Sequence, residues 1–322
     1  MMHLPRHTAL AALLAASLSP FATAADMKSV AVTAIVEHPA LDAARKGVED
    51  ELKAAGFEAG KQIKYQYQSA QGNPATAAQI ARKFIGDGPD VIVAIATPSA
   101  QAAVAGTRSI PVVFTAVTDP VAAKLVQSWK AGNGNVTGVS DMLKLSSQVD
   151  LIGKVRPGAK RVGMVYSPGE VNSVIVAKEL KAELAKRGMT LVEAPAPRTV
   201  DVAPAAKSLI GKVDVIYTST DNNVVSTYES LVGVAQQAKI PLVAADTDSV
   251  KRGATAALGQ NYYDIGRQTG KLVVRILKGE KAAAIAPQVG EKLSLTLNQG
   301  AAQKQGVTLS PALLKEAKEI IK

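Results

Sequence analysis

The chain of 322 residues contains no cysteine. That excludes disulfides, thiolate metal sites, a cysteine nucleophile and a lipid attached through an N-terminal cysteine. Histidine is nearly as scarce. His3 and His7 stand at the N-terminus, and His38 is the only one beyond it. A histidine metal cluster is therefore excluded, and a Ser-His-Asp site would have to use His38 with no G-x-S-x-G elbow to carry the serine. No all-carboxylate metal loop and no P-loop can be recognised. The one glycine-rich run, Gly132-Asn133-Gly134-Asn135-Val136-Thr137-Gly138, precedes a strand instead of following one. It reads as a turn, not as a dinucleotide site. No cofactor and no metal are expected.

Aromatic residues make up 4% of the chain, and the lysines behind its net charge of +10 are scattered along helical stretches. Nucleic-acid binding needs a clustered basic patch, so no nucleic-acid partner is expected. Apolar residues reach 47%. That is enough to bury cores, and the length fits two domains.

Residues 1–24 have the layout of a secretory signal. His3, Arg6 and His7 form a basic start, an apolar run follows over 9–18, and Ala22-Thr23-Ala24 ends it. The run of about ten residues is half the roughly 20 that a membrane span needs. Cleavage is expected after Ala24, giving a soluble periplasmic protein that is not a lipoprotein.

The remaining chain alternates β-branched runs with helical patterns. Strands are expected at 30–36, 62–68, 90–96 and 110–116, with helices at 40–55 and 75–85 between them. Such alternation implies βαβ units and parallel sheets. The runs Val91-Ile92-Val93-Ala94-Ile95 and Pro111-Val112-Val113-Phe114 are nearly all apolar, as in strands covered on both faces. The pattern then restarts. Lys28-Ser29-Val30-Ala31-Val32 parallels Lys160-Arg161-Val162-Gly163-Met164, and Pro89-Asp90-Val91-Ile92 parallels Val213-Asp214-Val215-Ile216. Two similar α/β lobes follow, with a boundary near 139–146 and no Pro/Ser-rich linker.

Parallel sheets bind ligands outside the carboxyl ends of their strands. Those ends here are rich in Ser, Thr, Asp and Asn. Thr97 fits an N-cap and Pro98 the first helical position, so Thr97 and Ser99 mark a helix start able to receive a carboxylate. Asp141, Glu170, Asp221 and Asp246 are candidates for an amine, and the same residues also suit helix caps. Glu37, Thr118, Ser140, Asn172, Ser173 and Asn222 complete the expected lining. His38 is expected beside the cleft. Tyr262 and Tyr263 either stack on a solute or pack at a lobe crossover.

The segments Val36-Glu37-His38-Pro39-Ala40-Leu41-Asp42, Ala96-Thr97-Pro98-Ser99-Ala100-Gln101 and Gly138-Val139-Ser140-Asp141 resemble the ABC-transporter substrate-binding proteins of the tryptophan/tyrosine-type family. So do Glu170-Val171-Asn172-Ser173, Thr220-Asp221-Asn222 and Gly259-Gln260-Asn261-Tyr262-Tyr263-Asp264-Ile265-Gly266. The resemblance spans the mature chain. It implies two doubly wound parallel-sheet α/β lobes joined by a three-segment hinge, with 25–140 plus 259–286 in lobe I and 141–258 plus 287–322 in lobe II. It implies an amino acid or related small solute as ligand, an ABC permease of the inner membrane as partner, and a monomer without catalysis. A ligand sensor for a membrane signalling partner and an exported enzyme on the same fold stay open as other readings.

Overall fold

A computed structural model describes residues 1–2 and 27–322. The expected signal segment falls almost wholly outside the described residues. The first sheet is built from β1 (Lys28–Ala34), β2 (Ile63–Ser69), β3 (Val91–Ile95), β4 (Val112–Val117) and β5 (Val136–Ser140). Between them run α1 (Pro39–Ala54), α2 (Pro74–Asp87) and α3 (Thr97–Gly106). The four strands expected from sequence appear within two residues of their expected bounds. His38 starts α1 by accepting the Leu41 N–H through Nδ1, and Asn73 starts α2 by accepting from Ala75 and Thr76. Pro39 and Pro74 follow these caps, where a missing N–H costs nothing.

After β5 the chain passes through α4 (Leu145–Val155) into a second sheet. Its core strands are β6 (Arg161–Tyr166), β7 (Thr190–Pro195), β8 (Val215–Thr218), β9 (Leu242–Asp246) and β10 (Ala256–Gln260). The connecting helices are α5 (Val171–Ala185), α6 (Val202–Ser208), α7 (Asn222–Ser226), α8 (Tyr228–Ala238) and α9 (Asp248–Lys251). The chain returns to the first sheet through α10 (Tyr262–Leu277) and β11 (Gln288–Val289). It then crosses back to the second as β12 (Leu293–Asn298), α11 (Gln299–Lys304), α12 (Pro311–Glu316) and β13 (Glu319–Ile321).

The strand orders are β11-β5-β4-β3-β1-β2 and β13-β12-β10-β9-β8-β6-β7. All pairs are parallel except β10 with β12. The repeat legible in the sequence is thus a repeat of topology, since β5-β4-β3-β1-β2 and β10-β9-β8-β6-β7 follow one order. Strand pairing moves two expected boundaries. Gly259 and Gln260 pair within the second sheet, and Gln288–Val289 pair with Val139 and Ser140 in the first. The returning chain therefore joins the first sheet over 262–289 rather than 259–286. Backbone hydrogen bonding, which a residue pattern does not encode, decides this.

The return helix is held by close backbone contact. A Cβ on Gly266 would lie 2.0 Å from the Ala44 carbonyl oxygen, and one on Gly47 would lie 2.2 Å from that of Tyr263. Glycine at both positions lets α1 and α10 cross at this separation. Their apolar faces meet in one core containing Val48, Leu52, Ile265, Leu272 and Val273.

The repeat extends to a polar detail. Asp90, just before β3, accepts the Ser29 N–H at 2.7 Å, and Asp214, just before β8, accepts the Arg161 N–H at 2.8 Å. Each carboxylate fastens the start of one strand to the start of its neighbour. The Arg161 guanidinium, with the Lys160 and Arg161 N–H groups, holds the Asp214 carboxyl down at about 2 despite partial burial. A depressed carboxylate contributes stability above its unfolded value, and that stability is lost as pH falls through the folded value. Asp214→Ala is expected to lower unfolding free energy by about 1–2 kcal/mol at neutral pH, the scale of hydrogen bonds to a charged group. Urea unfolding at several pH values should show this deficit shrinking between about pH 4 and pH 2. A deficit independent of pH would argue against the ion pair as its source.

Candidate functional site

The carboxyl ends of the two sheets face each other. Thr118, after β4, and Thr220, after β8, bring their hydroxyls to 3.3 Å across the gap. Beside them lies a groove of about 440 Å³. Its first wall includes Ile35, Gln71, Pro98 and Gln101, and its second includes Ser167, Glu170, Arg198 and Asn223.

On the first wall, α3 begins differently from the expectation. Its cap position is Ala96, not Thr97, with φ 71° and ψ 157° and no side-chain cap. Ala116 at the end of β4 is also at positive φ, 54°. Such backbone costs on the order of 1–3 kcal/mol for a non-glycine residue and concentrates at functional sites. The turn at Ala96 brings Thr97 and Ser99 into the first turn of α3, where both are buried. The Ser99 hydroxyl has no hydrogen-bond partner among the described residues. An uncapped helix start leaves backbone N–H groups and the Ser99 hydroxyl able to donate to an anion.

Glu37 stands exposed at the end of β1, accepting from the Tyr67 hydroxyl at 3.2 Å and from Gln71 Nε2 at 3.3 Å. The Ser140 hydroxyl donates to the Thr118 carbonyl at 2.8 Å and accepts the Met142 N–H at 3.0 Å, so it shapes the first crossover. Asp141 follows it, fully enclosed. Tyr262 donates to its Oδ2 at 2.5 Å, while Oδ1 has no partner among the described residues. Burial pushes the Asp141 carboxyl up, against the pull of the Tyr262 and Thr118 hydroxyls. Tyr262 therefore packs at a crossover, and Tyr263 is turned outward to Asp50, with its hydroxyl 3.0 Å away. His38 is enclosed. Burial first, and Arg252 second, hold its imidazole down at about 3, so it is neutral.

On the second wall, Asp221 is the centre of a lattice. Its Oδ1 accepts from the Ser167 hydroxyl and Val224 N–H, each at 3.0 Å. Its Oδ2 accepts from the Ser167 N–H and the Ser173 hydroxyl, each at 2.6 Å. Those donors fill the roughly four lone-pair sites of a carboxylate. Asp221 and Ser173 thus hold the β6 and β8 ends in register. Asp246 likewise accepts the Ser249 N–H at 2.8 Å and its hydroxyl at 2.6 Å, and burial pushes its carboxyl up.

Glu170 and its partners form a second group. Glu170 Oε2 accepts from Asn172 Nδ2 at 3.0 Å, Asn222 Nδ2 at 2.7 Å and Asn222 N–H at 3.2 Å. Asn172 Oδ1 is buried without a partner. Sequence reasoning did not select Ser219 or Thr220. The Ser219 hydroxyl is also buried and unpartnered, and both residues line a small cavity with Thr118 and Asp141. Their position directly after β8 was the available signal. Among the described residues no group of three or more His, Asp or Glu is placed to hold a metal ion. No helix among them is long and apolar enough to cross a membrane.

The lattice predicts a structural phenotype for Asp221. Asp221→Ala leaves buried donors without an acceptor, and about 3 kcal/mol of unfolding free energy should be lost. A midpoint unchanged in urea unfolding would show instead that Asp221 does not hold the loops.

The profile of the family described as ABC transporter substrate binding protein matches residues 29–321. A tyrosine-binding protein of Clostridioides difficile (strain R20291) is 39% identical over 272 residues, 84% of this chain and 79% of that one. An ABC domain in complex with L-Trp from Streptococcus pneumonia overlays with a TM-score of 0.88 at 34% identity, covering 91% of this chain and 99% of that one. The ligand-free, open structure of a substrate binding protein with adhesive properties from Clostridium difficile overlays with a TM-score of 0.69 at 36% identity, covering 92% and 99%. The profile match runs through both sheets and every crossover between them, and on it the chain belongs to the family of ABC transporter substrate binding proteins.

Proposed function

We propose that this chain is the exported solute-capturing component of an ABC importer, which encloses an amino acid between its two lobes and passes it to a permease of the inner membrane. In this reading residues 1–24 are the export signal, and the free protein works as a monomer in the periplasm. One lobe comprises 27–140 with 262–289, and the rest forms the other. Three crossovers, after Ser140, Gln260 and Val289, act as the hinge.

The observation that carries the reading is the set of unpartnered polar atoms where the lobes meet: Ser99 Oγ, Asp141 Oδ1, Asn172 Oδ1 and Ser219 Oγ. Buried polar groups are ordinarily paired, and exceptions mark places where a partner is missing. The hydroxyl and helix start of Thr97 and Ser99 suit a carboxylate, and the acids opposite suit an ammonium. The relatives bind compounds of this class, one named for tyrosine and one solved with L-Trp. At nearly equal identity, the chain overlays better on the L-Trp complex than on the open, ligand-free structure. The two lobes are thus disposed more like those of the L-Trp complex than like those of the open structure. Closure around a solute gives the permease a shape it can distinguish from the empty receptor.

A thermal-shift screen of ligand-stripped protein against amino acids, small peptides, sugars and carboxylates tests the reading. A true ligand at a hundred times its dissociation constant adds about 2.7 kcal/mol. Each kcal/mol raises the midpoint by about 2–4 °C for a domain of this size. Shifts with amino acids are expected; shifts confined to sugars would reject the amino-acid assignment. Ser99→Ala supplies a sharper check. Removing a buried hydroxyl without a partner should leave the empty protein as stable or slightly more so, yet weaken ligand binding about tenfold. Equal affinity in wild type and variant would remove Ser99 from the site.

A further inference from the structure

Resting on that reading, we propose that the carboxamide of Gln260 is a clamp between the three crossovers, and that by holding them together it slows release of the bound solute. The three crossovers meet at this side chain. Gln260 ends β10 and is 3% exposed. Its backbone is fixed in the second sheet, in register with Leu293 of β12 and Asp246 of β9. Its Nε2 donates to the Met142 carbonyl, on the first crossover, at 3.3 Å. Its amide lies against Gly290, on the third.

Gly290 shows how close that contact is. A Cβ there would overlap Gln260 Oε1 and lie 2.6 Å from its Cδ and 3.2 Å from its Nε2. Gly290 is outside the left-handed region, so alanine fits its backbone, and what an added side chain would meet is the Gln260 amide. Oε1 takes no N–H or O–H donor among the described residues. It faces the Cα–H of Gly290, a weak hydrogen bond.

The contact spans the two lobes. Gly290 goes with the first: its N–H donates to the Ser140 carbonyl at 2.9 Å, continuing the pairing of Val289 with Ser140. Just before it, Gln268 Nε2 on α10 donates to Gln288 Oε1 at 2.8 Å and to the Val289 carbonyl at 3.2 Å. Glu291 and Lys292 alone separate Gly290 from β12. Rotation of one sheet against the other therefore carries Gln260 across Gly290 and Met142 and breaks the contacts of its amide.

The amide makes these contacts while Thr118 and Thr220 also meet across the gap. Contacts present with the lobes together and lost when they part favour closure and lengthen the life of the complex. Gln260 lines neither the groove beside Glu170 nor the small cavity beside Asp141. It is a positioning residue, and the encounter with the solute does not depend on it.

Pulsed electron–electron distance measurements on the mature protein, paired with stopped-flow release, test the clamp. The chain has no cysteine, so Lys64→Cys on β2 and Lys207→Cys on α6 take two spin labels and no other residue does. Both side chains are exposed. β2 and β7, which α6 follows, are the sheet edges away from β5 and β10, so parting of the lobes moves them most. Gln260→Ala deletes the amide and Gly290→Ala displaces it. L-tyrosine and L-tryptophan are the first probes, followed by the other proteinogenic amino acids. At saturation each variant should keep a longer-distance population that wild type loses. Release should be about fivefold faster in each, the scale of one amide hydrogen bond, with association within about twofold of wild type. The double variant should release no faster than either single one, because both changes act on one contact. Release unchanged or slowed in both variants, or effects that add in the double variant, would overturn the clamp and leave solute capture intact. Absence of binding by every amino acid would overturn the reading beneath it. Distances in the empty proteins then decide the clamp: longer in the variants supports it, equal overturns it. If one variant fails to fold, release from the other decides.

Discussion

A polar atom buried without a partner costs on the order of 1–3 kcal/mol, so each one in a folded chain calls for a reason. Here Ser99, Asp141, Asn172 and Ser219 carry that cost at the meeting of two sheets. Asn172 already uses its Nδ2, and Asp141 already accepts from Tyr262. The atoms left over are those that protein neighbours do not reach. Asp141 and Ser219 line one small cavity with Thr118 and Thr220, where the ends of the two sheets meet.

Several features shape that meeting. The lattice around Asp221 ties the segments after β6 and β8 together through residues about fifty positions apart. The positive φ at Ala96 and Ala116 turns the chain sharply at the ends of β3 and β4, which brings the α3 start into the gap at a local backbone cost. The crossing of α1 over α10 through Gly47 and Gly266 anchors the return of the chain to the first lobe. After β11, the Gly290 N–H donates to the Ser140 carbonyl at 2.9 Å, so two of the three crossovers between the sheets are joined directly.

Electrostatics divides the gap into unlike halves. The first lobe contributes a helix start and hydroxyls, which favour negative charge. The second contributes carboxyl groups whose values are pushed up by burial and by one another. Parting the lobes leaves each half solvated; closing them without a ligand leaves both halves unanswered. In the function proposed above, an ion with both charges satisfies both, which couples ligand capture to closure.

Much of the fold was legible in the sequence. Apolar β-branched runs such as 91–95 and 112–117 report burial on both faces, and their recurrence in the second half reported the repeat of topology. The strand ends enriched in Ser, Thr, Asp and Asn lie where the two sheets face each other. The same residue types cap helices and receive ligands, so local pattern could not assign roles among them. Asp221 serves as cap and lattice centre because Ser167 and Ser173 reach it from far along the chain. Thr97 lost the cap position because Ala96 adopts a backbone angle that alanine does not advertise. Tyr262 meets Asp141 across 121 residues. Periodicity is a local signal, set by which face of an element is buried, and the sequence by itself determined the elements and their order. Which polar atoms find partners is decided by the pairing of distant strand ends, and only the tertiary structure could settle that.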